Sequence, residues 1–460
     1  MSDLPEQLPS TWHRAQLSVI ADINPRVDKA DIPDELEVAF VPMPAVEELS
    51  GRMDVSTSRP FAQVKKGYTP FLEGDVLFAK ITPCMENGKM AVVPALKNGY
   101  GFGSTEFHVL RPYSGIDAKY LYYFVSSQGF RANAEHNMTG AVGQRRVPTL
   151  YLSSRCMPVA PRREQRRIVA KIEELFSELD KGIEGLTTAR EQLKAYRQSV
   201  LKHAFEGKLT TDLRATHEAW RDTRIGDEIV YLTSGSRGWA EYYANSGDTF
   251  IRAQNLKYDR LDLTDIAFVQ LPEGNTEGLR TRVKVGDVLI TITGANVTKT
   301  GVVKSELGTA YVSQHVALCR PGPSLVPMFL YWYLLSEAHG RRQLNEAAYG
   351  AGKPGLNLDN IKSVVFPLPS PKEQAIVVER IEAALSIEQE LSESIDSELQ
   401  RTRALRQSIL KKAFSGQLVA QDAKDEPASV LLERIRAERN GAPAKNGHRK
   451  MSKNGKKQSA

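Results

Sequence analysis

The chain repeats itself at a distance too long for a solenoid. Arg163-Glu164-Gln165 returns 209 positions later as Lys372-Glu373-Gln374. The run Arg197-Gln198-Ser199-Val200-Leu201-Lys202-His203-Ala204-Phe205-Glu206-Gly207-Lys208-Leu209 returns at the same offset as Arg406-Gln407-Ser408-Ile409-Leu410-Lys411-Lys412-Ala413-Phe414-Ser415-Gly416-Gln417-Leu418. The stretch between these two motifs is therefore ungapped. Fainter echoes extend the repeat: Tyr120-Leu121-Tyr122-Tyr123-Phe124 aligns with Phe329-Leu330-Tyr331-Trp332-Tyr333, Gly74-Asp75-Val76-Leu77 with Gly286-Asp287-Val288-Leu289, and Trp12 with Trp220. Solenoid units run to about 20–45 residues, so this period marks a duplicated domain. Residues 1–160 and 210–369 read as two divergent copies. Each is followed by a more similar connector, 161–209 and 370–420, and a basic low-complexity tail, 421–460, closes the chain with predicted disorder at its end.

The two kinds of segment differ in pattern. In the variable copies, short β-branched and aromatic runs such as 75–79 and 287–293 sit between Gly, Pro and Asn and read as strands, while 119–126 and 328–336 read as helices. The connectors keep apolar residues three or four apart: Ile168, Ile172, Leu175, Leu179, Ile183, Leu186, Leu193 and Val200 in the first, Val377, Ile381, Leu391, Ile395, Leu405 and Ile409 in the second. Each predicts a helix of roughly 40 residues, about 60 Å long. Pro161 and Pro371 mark the starts, and Gly207 and Gly416 the ends. A helix with one apolar seam needs a partner, and the second connector supplies it. The first helix leads from one domain to the other, so a helix leaving the second domain packs against it only by running back. The expected architecture is α+β: two similar globular domains in pseudo-twofold arrangement, joined by two long antiparallel coiled-coil helices. Gly182 and Gly185 interrupt the first helix pattern, as a close helix crossing or as a flexible point.

Charge and composition exclude more than they select. Of 460 residues, 61 are Lys or Arg and 55 Asp or Glu, a net charge of +6. That excess resides in Lys445, Arg449, Lys450, Lys453, Lys456 and Lys457, leaving both variable domains close to neutral. Basic composition is thus no argument for a polyanionic partner of the domains themselves. No apolar run approaches the roughly 18 residues of a membrane span, and MSDLPEQLPS does not read as a signal peptide. Cys84, Cys156 and Cys319 are far apart, so neither a disulfide framework nor a zinc site is expected, and the chain reads as cytoplasmic. Phosphate-loop and HExxH motifs are missing. Ile23-Asn24-Pro25-Arg26 has half of the tetrapeptide used by amino-methyltransferases, and Tyr100-Gly101-Phe102-Gly103-Ser104 is a poor match to a cofactor loop. No catalytic, cofactor or metal-ligating residues are assigned.

Two divergent copies on a rigid spacer suit a ligand with two separated, unlike features. Double-helical DNA read from one face offers half-sites about 34–36 Å apart. The Arg163-Glu164-Gln165 and Lys372-Glu373-Gln374 helix openings, with the closing segments Ala204 to Leu209 and Ala413 to Leu418, resemble the specificity (S) subunit of type I restriction-modification systems. The resemblance covers about residues 10–420. It implies two target-recognition domains for an asymmetric bipartite site on double-stranded DNA. It also implies two copies of a methyltransferase (modification) subunit and restriction (motor-nuclease) subunits as partners, which would carry S-adenosylmethionine, ATP and Mg while this chain catalyses nothing. A two-headed coiled-coil scaffold without a nucleic-acid role explains the duplication and the rod but not the closing segments.

Base reading needs amide, hydroxyl or basic side chains on loops held by a scaffold. In the first domain the turn after residues 75–79 offers Lys80, Thr82, Glu86, Asn87 and Lys89, and the Gly-containing loop after 119–126 offers Thr139, Gln144, Arg145 and Arg146. In the second, the matching loops offer Thr293, Asn296 and Lys299, then Tyr349, Lys353 and Asn357, with Ser234, Arg237, Gln314 and His315 as further readers. Tyr122, Tyr123, Tyr331 and Trp332 are expected in the core.

Overall fold

The computed structural model describes residues 7–141, 143–213, 220–272, 274–350 and 354–441. The apolar periodicity of the connectors gives two helices of equal length, Arg162–Phe205 and Pro371–Phe414, 44 residues each. Gly207 and Gly416, at φ 69° and 72°, take up the left-handed conformation that ends them. Two compact units divide the chain: 1–184 with 399–460, and 185–398. Each unit therefore contains one variable domain, one half of the first long helix and the opposite half of the second.

Within the second unit the helix pair runs antiparallel, since Arg190 meets Asp396 at 2.8 Å and Arg197 meets Glu388 at 3.5 Å. In the first unit Arg406 pairs with Asp180 and lies over the Phe176 ring, 4.7 Å from its centroid. The seam is strongest near the domains. Ile168, Ile172, Ile409 and Phe414 belong to one core, and Val200, Phe205, Val377 and Ile381 to the other. Leu391 and Leu405, expected on the seam, are 49% and 47% exposed. A Cβ added at Gly182 or Gly185 would meet no atom within 4 Å, so these glycines do not serve a close helix crossing.

The repeated motifs are clamps between helix and domain. Gln165 accepts from the Asp117 amide (2.9 Å) and donates to the Ala160 carbonyl (2.9 Å). Gln374 accepts from the Val326 amide (2.7 Å) and donates to Ser324 and Pro369 (2.8 and 2.9 Å). At the other end of each repeat, Phe414 packs on Tyr120 and Phe124 at 5.1 and 5.2 Å between centroids, and Phe205 on Phe329 and Tyr333 at 5.3 and 5.1 Å. The same offset also links Gln407, accepting from Gln128, to Gln198, accepting from Glu337.

Each domain carries the same central sheet of four antiparallel strands. In the first the order is Ala21–Ile23, Phe107–Pro112, Val76–Ala79, Met90–Val92; in the second, Ile229–Ser234, Val316–Pro321, Val288–Thr291, Thr300–Val302. A second sheet contains one parallel pair, Glu37–Val41 with Tyr100–Gly103 or Asp248–Ile251 with Ala310–Val312. The weak glycine-rich run at 100–103 is thus a strand. The Gly-Asp-Val-Leu motif places a buried carboxylate at the start of a central strand. Asp75 takes both guanidinium arms of Arg111 (2.8 and 2.7 Å), and Asp287 those of Arg320 (2.7 and 2.8 Å). Tyr122, Tyr331 and Trp332 are buried as expected, and Tyr123 is half-buried.

The tail reading needs correction. Residues Ala428–Gly441 form a helix whose Leu431, Leu432 and Ile435 are buried in the core of the first unit. Asp425 pairs with Arg167 at 2.7 Å, and Arg439 donates to the Ser18 carbonyl. An apolar face hidden in a charged stretch, Glu433-Arg434-Ile435-Arg436, made the segment look low in complexity. The basic residues from Lys445 to Lys457 lie outside the described residues.

Candidate nucleic-acid interface

In both domains the two loops singled out from sequence meet at one end of the central sheet. After Val76–Ala79 in the first, Thr82 donates its amide to Arg145 (3.0 Å) and Val147 donates to Lys80 (2.8 Å). Thr139 and Arg146 exchange amide hydrogen bonds at 2.9 and 2.8 Å. The second domain repeats this stitching: Gly294 donates to Pro354 (3.0 Å), Leu356 to Ile292 (2.8 Å), and Tyr349 and Gly355 exchange at 3.0 and 2.9 Å. Ser234 and Gln314 join the same end, because Gly235 donates to the Ser313 carbonyl; a Cβ at Gly235 would lie 2.5 Å from that backbone.

The side chains divide into those that hold the loops and those that look outward. Thr82 donates to Glu86 (2.7 Å), Asn87 to Glu48 (3.0 Å) and the Lys89 ammonium to the Val46 carbonyl (2.9 Å). Arg146 forms a double bond pattern with Glu106, Nε to Oε2 at 2.9 Å and Nη2 to Oε1 at 2.8 Å. Those hydrogen bonds hold the Glu106 carboxyl below its ordinary range, with the Lys80 charge adding to the effect. In the second domain Lys299 pairs with Asp259 (3.0 Å), Asn296 reaches the Ala253 carbonyl (3.4 Å), and His315 lies 3.2 Å from both Thr293 Oγ1 and Gln314 Nε2. Asn357, expected among the readers, is exposed and caps the helix Leu358–Lys362 by accepting from the Asn360 amide at 2.7 Å. Thr139, Gln144, Arg237 and Tyr349 are exposed; Lys80 and Ser234 are half-buried. Arg145 is half-exposed, 3.7 Å from Glu135. Lys353 lies outside the described residues.

Sequence reasoning missed the residues beneath the loops. Glu106 occupies the position that maps, at the 209 offset, onto His315, so the repeat itself held that signal. His108 is buried, its Nε2 donating to the Val147 carbonyl (2.8 Å) and its Nδ1 accepting from Asn24 (3.1 Å). Burial pushes its imidazole down toward the neutral form this pattern requires. Among the described residues no cluster of three or more His, Cys, Asp or Glu is placed to hold a metal, and no helix is long and apolar enough to cross a membrane.

Comparison with known proteins fits this arrangement. The sequence model of the family described as Type I restriction modification DNA specificity domain matches residues 240–401. The chain is 42% identical over 235 residues, half of its length, to the type I restriction enzyme EcoAI specificity subunit of Escherichia coli. It is 26% identical over 363 residues to the EcoKI specificity subunit of Escherichia coli strain K12. The chain is thus similar to type I specificity subunits over much of its length. It spans 39% of the length of the EcoAI relative and 76% of the EcoKI relative. The fold agrees with that of a solved chain from the type I R-M system, described in terms of complex assembly and conformational transition. The TM-score is 0.72 at 21% identity, over 90% of this chain and all of the other. The HsdS subunit from Thermoanaerobacter tengcongensis matches at TM-score 0.52 and 22% identity, over 91% of this chain and all of the other. The matched family region covers most of the second repeat copy, 210–369, and part of the helix that follows it.

Proposed function

We propose that this chain is the non-catalytic DNA-specificity subunit of a type I restriction-modification enzyme, reading an asymmetric bipartite target. The observation that carries this reading is the duplicated loop pair. One scaffold presents two chemically different polar surfaces through the same set of backbone hydrogen bonds. In the first domain the contacts fall to Lys80, Thr139, Gln144 and Arg145, with Arg146 held by Glu106 within reach. In the second they fall to Ser234, Arg237, Gln314 and Tyr349. Gln and Arg suit adenine and guanine edges, and Lys and hydroxyls suit phosphates. The long helices are about 66 Å each at 1.5 Å per residue. Two methyltransferase subunits and the restriction subunits bring S-adenosylmethionine, ATP and Mg; the methyltransferase extrudes the target base into its own site. In that role the chain acts in the cytoplasm.

The test is selection of random duplex DNA by the full chain together with its methyltransferase partner. Two short fixed blocks at constant separation are expected, and replacing Gln144 and Arg145 by alanine should blur one block and leave the other sharp. Recovery of unselected sequence, or of one block only from the wild-type complex, overturns the reading.

A further inference from the structure

We infer that Arg131 and Arg341 are paired positioning residues, each fixing the reading loop of its own domain without contacting DNA; this rests on the function proposed above. Both come from the short helix behind the loops, Gln128–His136 in the first domain and Gly340–Ala347 in the second. Both turn Nε back to the end of the preceding helix: Arg131 to the Ser126 carbonyl at 3.0 Å, Arg341 to the Leu334 carbonyl at 3.1 Å. Their other arms diverge. Arg131 Nη1 donates to the Glu86 carbonyl, directly inside the loop that follows the central strand. Arg341 Nη2 donates to Asp259 Oδ1 at 2.5 Å. Asp259 then fixes the corresponding loop of its own domain, accepting from the Thr300 amide (3.1 Å) and pairing with Lys299 (3.0 Å).

Leu49 and Asp259 occupy the equivalent place, and both stand in the left-handed region, at φ 58° and 56°. Leu49 donates its amide to Gly88 in the first loop (3.1 Å). The two domains thus keep one support, an arginine behind a left-handed residue that abuts the loop, and differ in how it reaches the loop. In the first domain a groove of about 660 Å³ opens behind the loop, lined by Leu49, Glu86, Arg131, Phe176 and Arg406. Leu49 and the Arg131 guanidinium both abut the loop on that side, a Cβ added at Gly88 lying 2.5 Å from Leu49 Cδ2 and 3.5 Å from Arg131 Nε, and the guanidinium adds a side-chain hydrogen bond to it. Arg341 is only 7% exposed, which keeps it from the DNA surface. A base contact displaced by a fraction of an ångström loses directionality, because bidentate recognition depends on two aligned hydrogen bonds.

The experiment measures binding of the full chain with its methyltransferase partner to the selected duplex and to duplexes altered at one position in either half-site. Arg131→Ala should lower discrimination at the first half-site by about tenfold, the worth of one misplaced base contact, and leave the second within twofold. Arg341→Ala should do the reverse. Arg131→Lys keeps the charge but cannot span both carbonyls, so it should not rescue. Asp259→Asn keeps the left-handed turn while releasing Lys299, and should reproduce Arg341→Ala at lower folding cost, covering the case in which an arginine variant fails to fold. Equal loss at both half-sites, or unchanged discrimination in soluble variants, overturns the assignment. A wild-type complex that discriminates at neither half-site overturns the proposed function instead.

Discussion

The two domains share their supports and differ in their surfaces. At the supports the correspondence is nearly atom for atom: Asp75 with Arg111 against Asp287 with Arg320, Gln165 against Gln374, Phe414 against Phe205. At the loops the same backbone bridges carry different chemistry. The first domain sets an Arg146–Glu106 pair where the second sets Gly355 and His315. Buried charge pairs and helix clamps tolerate little change, because an unpaired buried group costs several kcal/mol. Solvated loop side chains can change at small cost. Divergence therefore collected in the loops at one end of each central sheet, and what the two copies hold in common identifies what the fold needs.

The equivalence is broken most forcefully at the buried carboxylates. Asp75→Ala strands a partly buried Arg111 and should cost about 3 kcal/mol, and Asp287→Ala should cost the same in the second unit. Hydrogen exchange resolved by unit, alongside denaturant melts, would show each loss confined to its own unit; a cost below 1 kcal/mol at either site would deny that pair its structural role. The glutamine clamps sharpen the comparison further. Gln374 makes three hydrogen bonds to Gln165's two, so Gln374→Ala should destabilise more than Gln165→Ala, both by about 1–3 kcal/mol. The reverse order in urea unfolding would show that bond number does not decide the difference. The smallest expected effect is a gain. Gly182→Ala and Gly185→Ala, with open space at both Cβ positions, should each raise stability by about 1 kcal/mol, seen as a higher midpoint; a lowered midpoint would restore the close-crossing reading.

Much of this was legible before any coordinates. Heptad spacing announced both long helices because a one-sided apolar stripe has few other solutions, and Gly207 and Gly416 announced their ends. The loops were legible as Gly-rich breaks after strong strands. Their contents were harder to read. Lys89, Asn296 and Asn357 have the chemistry of base readers, and the bonds they make to their own chain were not legible, since a side chain's partner depends on what folding brings near it. Glu106, Asp259, Arg131 and Arg341 act between segments tens of residues apart, and no local spacing marks such pairs.

The repeat alone determined that two like domains alternate with two like helices, because a strict offset preserves whatever each residue packs against. The order of charged residues likewise located the +6 excess at 445–457, outside both repeat copies. Only the tertiary structure decided that 428–441 folds as a helix onto the first unit, that each loop pair forms one surface, and that an arginine, half-buried in the first domain and buried in the second, stands behind each. These depend on contacts between distant parts of the chain, whose energies exist only once the chain has closed on itself.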